Sequence, residues 1–114
     1  MNNGDIWLLN LEPTIGAEIH KTRPAFIVNC DTMGILPLKI IVPITDWKSQ
    51  YSQVPWMVKL IPNNENHLEK LSAADTFQVR SVSHKRFVRH LGKVDIMIMS
   101  KIKEALKRVF DIDS

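Results

Sequence analysis

Two apolar runs rich in β-branched residues dominate the hydrophobic pattern of this chain of 114 residues. The first run covers residues 23–30 and the second covers residues 38–45, and a connection containing Gly, Asp and Pro joins them. This pattern predicts a β-hairpin. Pro24 should lie at the start of its strand because proline supplies no backbone donor, and Pro43 predicts an edge or a bulge for the same reason.

Shorter apolar runs on both sides of the hairpin predict further strands, at residues 5–11, 55–61, 75–82 and 87–91. The first of these is almost continuously apolar, as in a strand buried on both faces. The run 75–82 alternates instead, with Phe77 and Val79 on one side and Gln78 and Arg80 on the other. That alternation is typical of a half-buried strand. The polar stretches 12–22 and 46–54 are predicted to be loops.

Residues 95–110 show the spacing of an amphipathic helix. Apolar residues recur at Met99, Ile102, Leu106 and Val109, and Asp95 can cap the first turn. The pattern therefore predicts about six or seven short strands followed by a C-terminal helix. Such a mainly β chain would form one domain over residues 1–114, a small barrel or curled sheet.

Composition excludes several classes of protein. Hydrophobic residues make up 45% of the chain, which is enough for one core, and no apolar run reaches membrane-spanning length. Residues 1–10 lack a signal-peptide pattern, so a soluble cytoplasmic protein is expected. Cys30 is the single cysteine and is predicted to be a buried structural thiol. The four histidines form no spaced ligand set, so we expect neither a metal nor another cofactor.

Positive charge is concentrated in one segment. The net charge is +3, and residues 76–94 contain five Lys or Arg residues and no Asp or Glu. A block of this kind favours an anionic partner, with nucleic acid first. A solvated basic face would give the same pattern, and net charge alone does not distinguish the two.

The predicted hairpin also contains two polar residues that are candidates for binding a ligand. If its strands pair antiparallel, Arg23 at the start of the first strand should lie near Thr45 at the end of the second. A guanidinium beside a hydroxyl, without an acid to neutralise it, suits a bound phosphate. The commoner alternative is a solvated Arg and a β-forming Thr with no ligand at all.

Five short segments of the chain occur in an order that resembles the MazF/PemK family of toxin endoribonucleases, the mRNA interferases. They are Gly4-Asp5-Ile6-Trp7, Leu11-Glu12-Pro13-Thr14-Ile15-Gly16-Ala17-Glu18, Thr22-Arg23-Pro24, Val42-Pro43-Ile44-Thr45 and Phe77-Gln78-Val79-Arg80-Ser81. The resemblance implies an SH3-like barrel with a C-terminal helix, a homodimer, and a cognate antitoxin protein as partner. It also implies metal-independent, sequence-selective cleavage of single-stranded RNA. In that reaction the ribose 2′-hydroxyl attacks the adjacent phosphorus and leaves a 2′,3′-cyclic phosphate and a 5′-hydroxyl.

The resemblance assigns roles residue by residue. Arg23 would stabilise the charge on the phosphorane oxygens and Thr45 would position the scissile phosphate. Contacts to RNA would come from the first loop and from the segment around Gln78, namely Glu18, His20, Lys21, Asp75, Gln78, Arg80 and Ser81. The family has an Asp directly before the Gln, whereas here two residues separate Asp75 from Gln78.

Two other functions compete with this one. The first is a non-catalytic toxin of the same barrel fold that inhibits a protein target such as DNA gyrase. The second is an RNA-binding barrel without chemistry, for which the basic segment alone would suffice. The aromatic residues Trp47 and Tyr51 leave a similar choice open, since they can stack on RNA bases or pack against the protein.

Overall fold

A computed structural model describes residues 1–113, and over this range the chain forms a sheet of seven strands and one α-helix. The strands are β1 (Asp5–Asn10), β2 (Thr22–Ile27), β3 (Leu38–Asp46), β4 (Met57–Leu60), β5 (Ser72–Asp75), β6 (Arg80–Ser83) and β7 (Phe87–Lys93), and the helix α1 is Ile96–Val109. Single 3₁₀ turns lie at Ser49–Gln53, Thr76–Gln78 and His84–Arg86. The predicted mainly β fold with a C-terminal helix is confirmed. No helix in the described part of the chain has the length and apolarity to cross a bilayer.

β3 is the central strand of the sheet, and the predicted hairpin with β2 is present. The strand order is β4-β5-β3-β2-β1-β7. Along its other edge β3 pairs with β6 through residues 38–41 and with β5 through residues 44–46. β3 is thus paired with β2 along one edge and with both β6 and β5 along the other.

Pro43 lies inside this central strand, so the prediction of an edge is wrong. It lies opposite Ala25. Three positions further along the ladder, the Val28 N–H donates to the Ile40 carbonyl at 2.9 Å, so Val28–Ile40 is a hydrogen-bonded pair. Bonded and non-bonded pairs alternate in an antiparallel ladder, so neither nitrogen of the Ala25–Pro43 pair faces the partner strand. The missing donor of Pro43 therefore faces the point where β3 changes partner, between its last pair with β6 at Ile41 and its first pair with β5 at Ile44.

The sheet buries apolar side chains on both of its faces. One core contains Ile6, Phe26, Val42, Ile44, Val58, Leu60 and Ala74 with Met99, Ile102 and Ala105 of the helix. The other contains Leu9, Leu11, Ala25, Ile27, Ile41 and Val82. Asp95 caps α1 as predicted, since its carboxylate accepts from the Ile98 N–H at 2.7 Å. The helix closes the first core, and the second core lies beneath the loop that joins β1 to β2.

The stretch 75–82 differs from its prediction as one strand. It contains the end of β5, the 3₁₀ turn Thr76–Gln78 and then β6. Asp75 starts the turn by accepting from the Phe77 N–H at 3.2 Å. Phe77 is consequently 63% exposed rather than buried against the sheet.

Cys30 is also not where it was predicted. It follows the end of β2 and is exposed, because the strand has already left the core at Ile27. Its Sγ lies 3.0 Å from the Thr32 hydroxyl, and this hydrogen bond lowers the pKa of the thiol.

Candidate active site

Arg23 and Thr45 lie at the same end of the β2–β3 hairpin. The last pair of the ladder is Ala25–Pro43, and Arg23 and Thr45 each lie two residues beyond it on their strands. Both residues line one cavity, and both are half-buried. The guanidinium and the hydroxyl therefore belong to residues that border the same space at the open end of the hairpin.

Cross-strand rows place four of the candidate residues on one face of the sheet. Thr45 lies opposite Ala73, and the same β3–β5 register continued by one residue puts Asp75 opposite Pro43. Arg80 lies opposite Ile41 on β6. Residues directly opposite each other share a face, and so do residues two apart on a strand. Arg23, Thr45, Asp75 and Arg80 thus share the face of the second core, which we call the site face.

Ser81 lies outside this arrangement. It lies opposite Ile40, one position from the Ile41–Arg80 pair, and therefore projects from the other side of the sheet. The structure does not bring Ser81 to the other candidate residues.

Two cavities contain candidate residues in their lining. One, of about 490 Å³, lies on the site face between the first loop and the 3₁₀ turn, and its lining includes Glu18, Pro43, Gln78 and Arg80. The other, of about 250 Å³, lies at the ends of the strands and includes both Arg23 and Thr45 in its lining. Arg23 and Thr45 thus border the smaller cavity, and Arg80 and Gln78 border the larger one.

Gln78 and Asp75 form a hydrogen-bonded pair despite their separation in the sequence. The Gln78 Nε2 donates to the Asp75 Oδ2 at 3.0 Å, because the 3₁₀ turn brings the two side chains together. Asp75 is 6% exposed. Burial raises the pKa of its carboxyl, and the hydrogen bonds from Gln78 and Phe77 only partly oppose this. The carboxyl lies beneath Gln78 as its support, and Gln78 itself lines the larger cavity.

The loop between β1 and β2 is braced by its own carboxylates. Glu18 accepts from the Ile15 N–H at 2.6 Å, and Glu12 accepts from the Lys21 N–H at 2.7 Å. The ring of His20 lies 3.7 Å from the same Glu12 carboxylate. His20 and Lys21 are exposed beside the start of β2, whereas Glu18 lies at the larger cavity.

Sequence patterns alone did not associate His67 and Arg89 with the site. Both line the smaller cavity together with Arg23 and Thr45, and so does Lys70, whose Nζ lies 3.3 Å from the Asp46 carboxylate. Arg89 belongs to the basic segment, which was the one available signal. His67 comes from a polar turn with no recognisable motif.

Arg86 contributes to the site through the backbone of the first loop. Its Nη1 donates to the Asn10 carbonyl at 3.3 Å and also to the Glu12 carbonyl. One of the basic residues of the segment 76–94 is thus used to hold the loop.

Trp47 and Tyr51 pack against each other in an edge-to-face pair with ring centroids 5.8 Å apart. The Lys59 Nζ lies 5.2 Å from the Trp47 ring centroid. Within the described residues, this aromatic pair therefore already has partners in the protein.

Comparisons with known proteins agree with this architecture. Residues 2–110 match the family model described as PemK-like, MazF-like toxin of type II toxin–antitoxin system. The chain is 28% identical over 118 residues to endoribonuclease MazF9 of Mycobacterium tuberculosis, with 98% of each protein covered. It is 26% identical over 108 residues to endoribonuclease EndoA of Bacillus subtilis, covering 94% of this chain and 91% of that relative.

Solved structures show the same fold. MazF from Deinococcus radiodurans has a TM-score of 0.80 at 21% identity, covering 97% of this chain and 96% of that one. A mycobacterial endoribonuclease in complex with its cognate antitoxin has a TM-score of 0.79 at 15% identity, covering 100% and 98%.

Proposed function

We propose, from the premise that this chain belongs to the PemK-like, MazF-like family of toxins of type II toxin–antitoxin systems, that it is an endoribonuclease of single-stranded RNA. The relatives MazF9, PemK and EndoA are all named endoribonucleases. The observation that carries the proposal for this chain is that Arg23 and Thr45 line one cavity at the open end of the hairpin. A sequence match alone would leave the location of the chemistry open.

The reaction is an internal transfer at phosphorus. The ribose 2′-oxygen forms a bond to the adjacent phosphorus while the bond from phosphorus to the 5′-oxygen breaks. The 2′-hydroxyl gives up its proton, and the leaving 5′-oxygen takes one. The products are a 2′,3′-cyclic phosphate and a 5′-hydroxyl, so no atom is lost.

Arg23 and Thr45 act on the phosphate that reacts. The guanidinium of Arg23 is always charged and offers a planar fork of donors to the phosphorane oxygens. A preorganised charge of this kind typically stabilises a transition state by about 3–4 kcal/mol. The Thr45 hydroxyl donates to a non-bridging oxygen and fixes the phosphate in place. The reaction needs no metal, because Arg23 supplies the positive charge.

The remaining candidates bind the flanking RNA. Arg80 pairs with a neighbouring phosphate and Gln78 lies within reach of a base, with Asp75 holding its amide from behind. His20, Lys21 and Glu18 belong to the loop that borders the RNA on the other side. This division follows from exposure, since Asp75 is buried and Arg80 lines the cavity.

The chain acts in the cytoplasm as a homodimer and is neutralised by an antitoxin. The mycobacterial structure with its cognate antitoxin supports a protein inhibitor. The segment 76–94, with five cations and no acid, would attract an acidic antitoxin segment that covers the RNA path.

The test is incubation of the purified protein with a long single-stranded RNA in EDTA, followed by analysis of the new ends. We expect discrete cuts that leave 5′-hydroxyl ends and cyclic phosphates. Intact RNA from folded, antitoxin-free protein would contradict the proposal. Salt-sensitive RNA binding without cleavage would indicate an RNA-binding barrel without chemistry. Inhibition of gyrase without RNA binding would indicate a non-catalytic toxin that acts on a protein target.

A further inference from the structure

Phe77 is an exposed aromatic residue on a firmly anchored turn. Its side chain is 63% exposed, although its own N–H donates to Asp75 and its neighbour Thr76 is fully buried. The Thr76 hydroxyl and N–H donate to the Trp56 carbonyl at 2.6 and 3.2 Å. The position of the ring is therefore set by the fold and not by a loose loop.

Phe77 and Trp56 form a two-ring surface. Their ring centroids lie 5.5 Å apart with an interplanar angle of 55°, and Trp56 is 37% exposed. Phe77 also lines the cavity of about 490 Å³ beside Gln78 and Arg80. An open aromatic wall thus lies next to a guanidinium on the site face.

The aromatic wall shares its cavity with a residue close to the candidate active site. Pro43 lines the same cavity as Phe77, and Pro43 and Thr45 are two residues apart on β3. Two residues along a strand span about 7 Å. A strand of RNA with its scissile phosphate at Arg23 and Thr45 would bring an adjacent base to Phe77.

From this placement we propose that Phe77, backed by Trp56, is a base-stacking subsite for a nucleotide flanking the scissile phosphate. The proposal rests on the endoribonuclease function proposed above. Single-stranded RNA is held by aromatic stacking combined with positive charge, and Arg80 supplies that charge in the same cavity. The amide of Gln78 is already engaged by Asp75 and by the Ile19 N–H, so the exposed ring offers the larger free surface for a base.

The experiment uses the full-length protein and a short 2′-O-methyl RNA, which cannot be cleaved, with 2-aminopurine placed at each position in turn. Affinity is measured by fluorescence anisotropy, and stacking is measured by quenching of the 2-aminopurine. Phe77→Ala should weaken binding about 10- to 100-fold and abolish the quenching at one position. Phe77→Tyr should keep both. Val88→Ala is the control, because Val88 is 59% exposed and lines neither cavity.

Two results would contradict the stacking subsite and leave the endoribonuclease function unaffected. Unchanged affinity and quenching in Phe77→Ala, with normal cleavage by the wild type, would reject the subsite and leave the endoribonuclease function standing. So would a Phe77→Ala variant that binds RNA normally but no longer self-associates in sedimentation, because the pair would then be a protein contact. Failure of the wild type to cleave RNA, by contrast, would reject the function.

Discussion

The side-chain amide of Gln78 connects the buried carboxyl of Asp75 to the loop between β1 and β2. Its Nε2 donates to Asp75 at 3.0 Å, and its Oε1 accepts from the Ile19 N–H at 2.6 Å. An ionised carboxylate can only accept, and a backbone N–H can only donate. The amide is therefore oriented by both partners at once, and the loop is tied to the site face through it.

Asp75→Asn should loosen the loop at Ile19. The two oxygens of Asp75 accept from the Phe77 N–H and from the Gln78 Nε2, and an Asn has one acceptor oxygen for these two donors. If the Asn donor faces Gln78, no orientation of the Gln78 amide satisfies both the Asn and the Ile19 N–H. We expect the hydrogen-exchange protection of the Ile19 amide to fall by about tenfold, while the amides of β3 keep theirs. Asp111→Asn is the matched control, because Asp111 is exposed beyond the helix. Unchanged protection at Ile19 would show that Asp75 does not hold the loop.

The same carboxyl should give stability a dependence on pH. Burial raises the pKa of Asp75, so folding disfavours its ionised form. Its contribution to stability is therefore greatest below the unfolded pKa, which is about 3.9, and is lost as the pH rises through the raised pKa. The free energy of unfolding of the wild type minus that of Asp75→Asn should decrease as the pH rises through this range. Urea titrations at a series of pH values measure this difference in the free energy of unfolding. A difference that grows with pH would contradict a raised pKa of Asp75 in the folded protein.

Thr45 should matter through its hydroxyl rather than its volume. Thr45→Val keeps the shape and removes the donor, so cleavage should slow by about 10- to 100-fold, as expected for a hydrogen bond to a charged group. Thr45→Ser restores the hydroxyl and should recover most of the rate. Single-turnover cleavage measures this, with thermal unfolding to confirm that all variants fold. Equal rates for the Val and Ser variants would exclude a role for the hydroxyl.

Gly92 should tolerate no side chain. A Cβ there would lie 2.2 Å from the Glu65 carbonyl oxygen and 2.9 Å from the Asn66 carbonyl, and these are backbone atoms that cannot move aside alone. Gly92→Ala should destabilise the protein by about 3 kcal/mol. Gly16→Ala is the comparison, since nothing lies within 4 Å of its Cβ and only its positive φ of 61° costs energy, about 1 kcal/mol. A smaller loss at Gly92 than at Gly16 in urea unfolding would contradict this contact.

The hydrophobic pattern predicted the strands and the helix in which buried residues recur at regular intervals. The hairpin and the helix each present a periodic apolar face, so the strand ends near Arg23 and Thr45 and the cap at Asp95 follow from the pattern. The presence of Arg23 and Thr45 at one end of the hairpin follows in turn, because antiparallel pairing brings the start of one strand beside the end of the other.

Side-chain capping and tertiary packing explain where the pattern fails. Phe77 and Val79 suggest a continuous strand, but the capping carboxylate of Asp75 stabilises a 3₁₀ turn there and exposes Phe77. Pro43 suggests an edge, but its missing donor falls where β3 changes partner. The presence of His67 in the cavity of Arg23 depends on tertiary packing, which no local pattern encodes.

The measurement that tests the central claim most directly is the single-turnover rate of RNA cleavage in EDTA by Arg23→Ala. We expect a loss of about 10²–10³-fold, with Arg23→Lys intermediate because it keeps the charge but not the planar fork. Lys101→Ala, an exposed cation on the helix, should cleave at the wild-type rate. A folded Arg23→Ala variant that cuts RNA as fast as the wild type would show that the chemistry lies elsewhere.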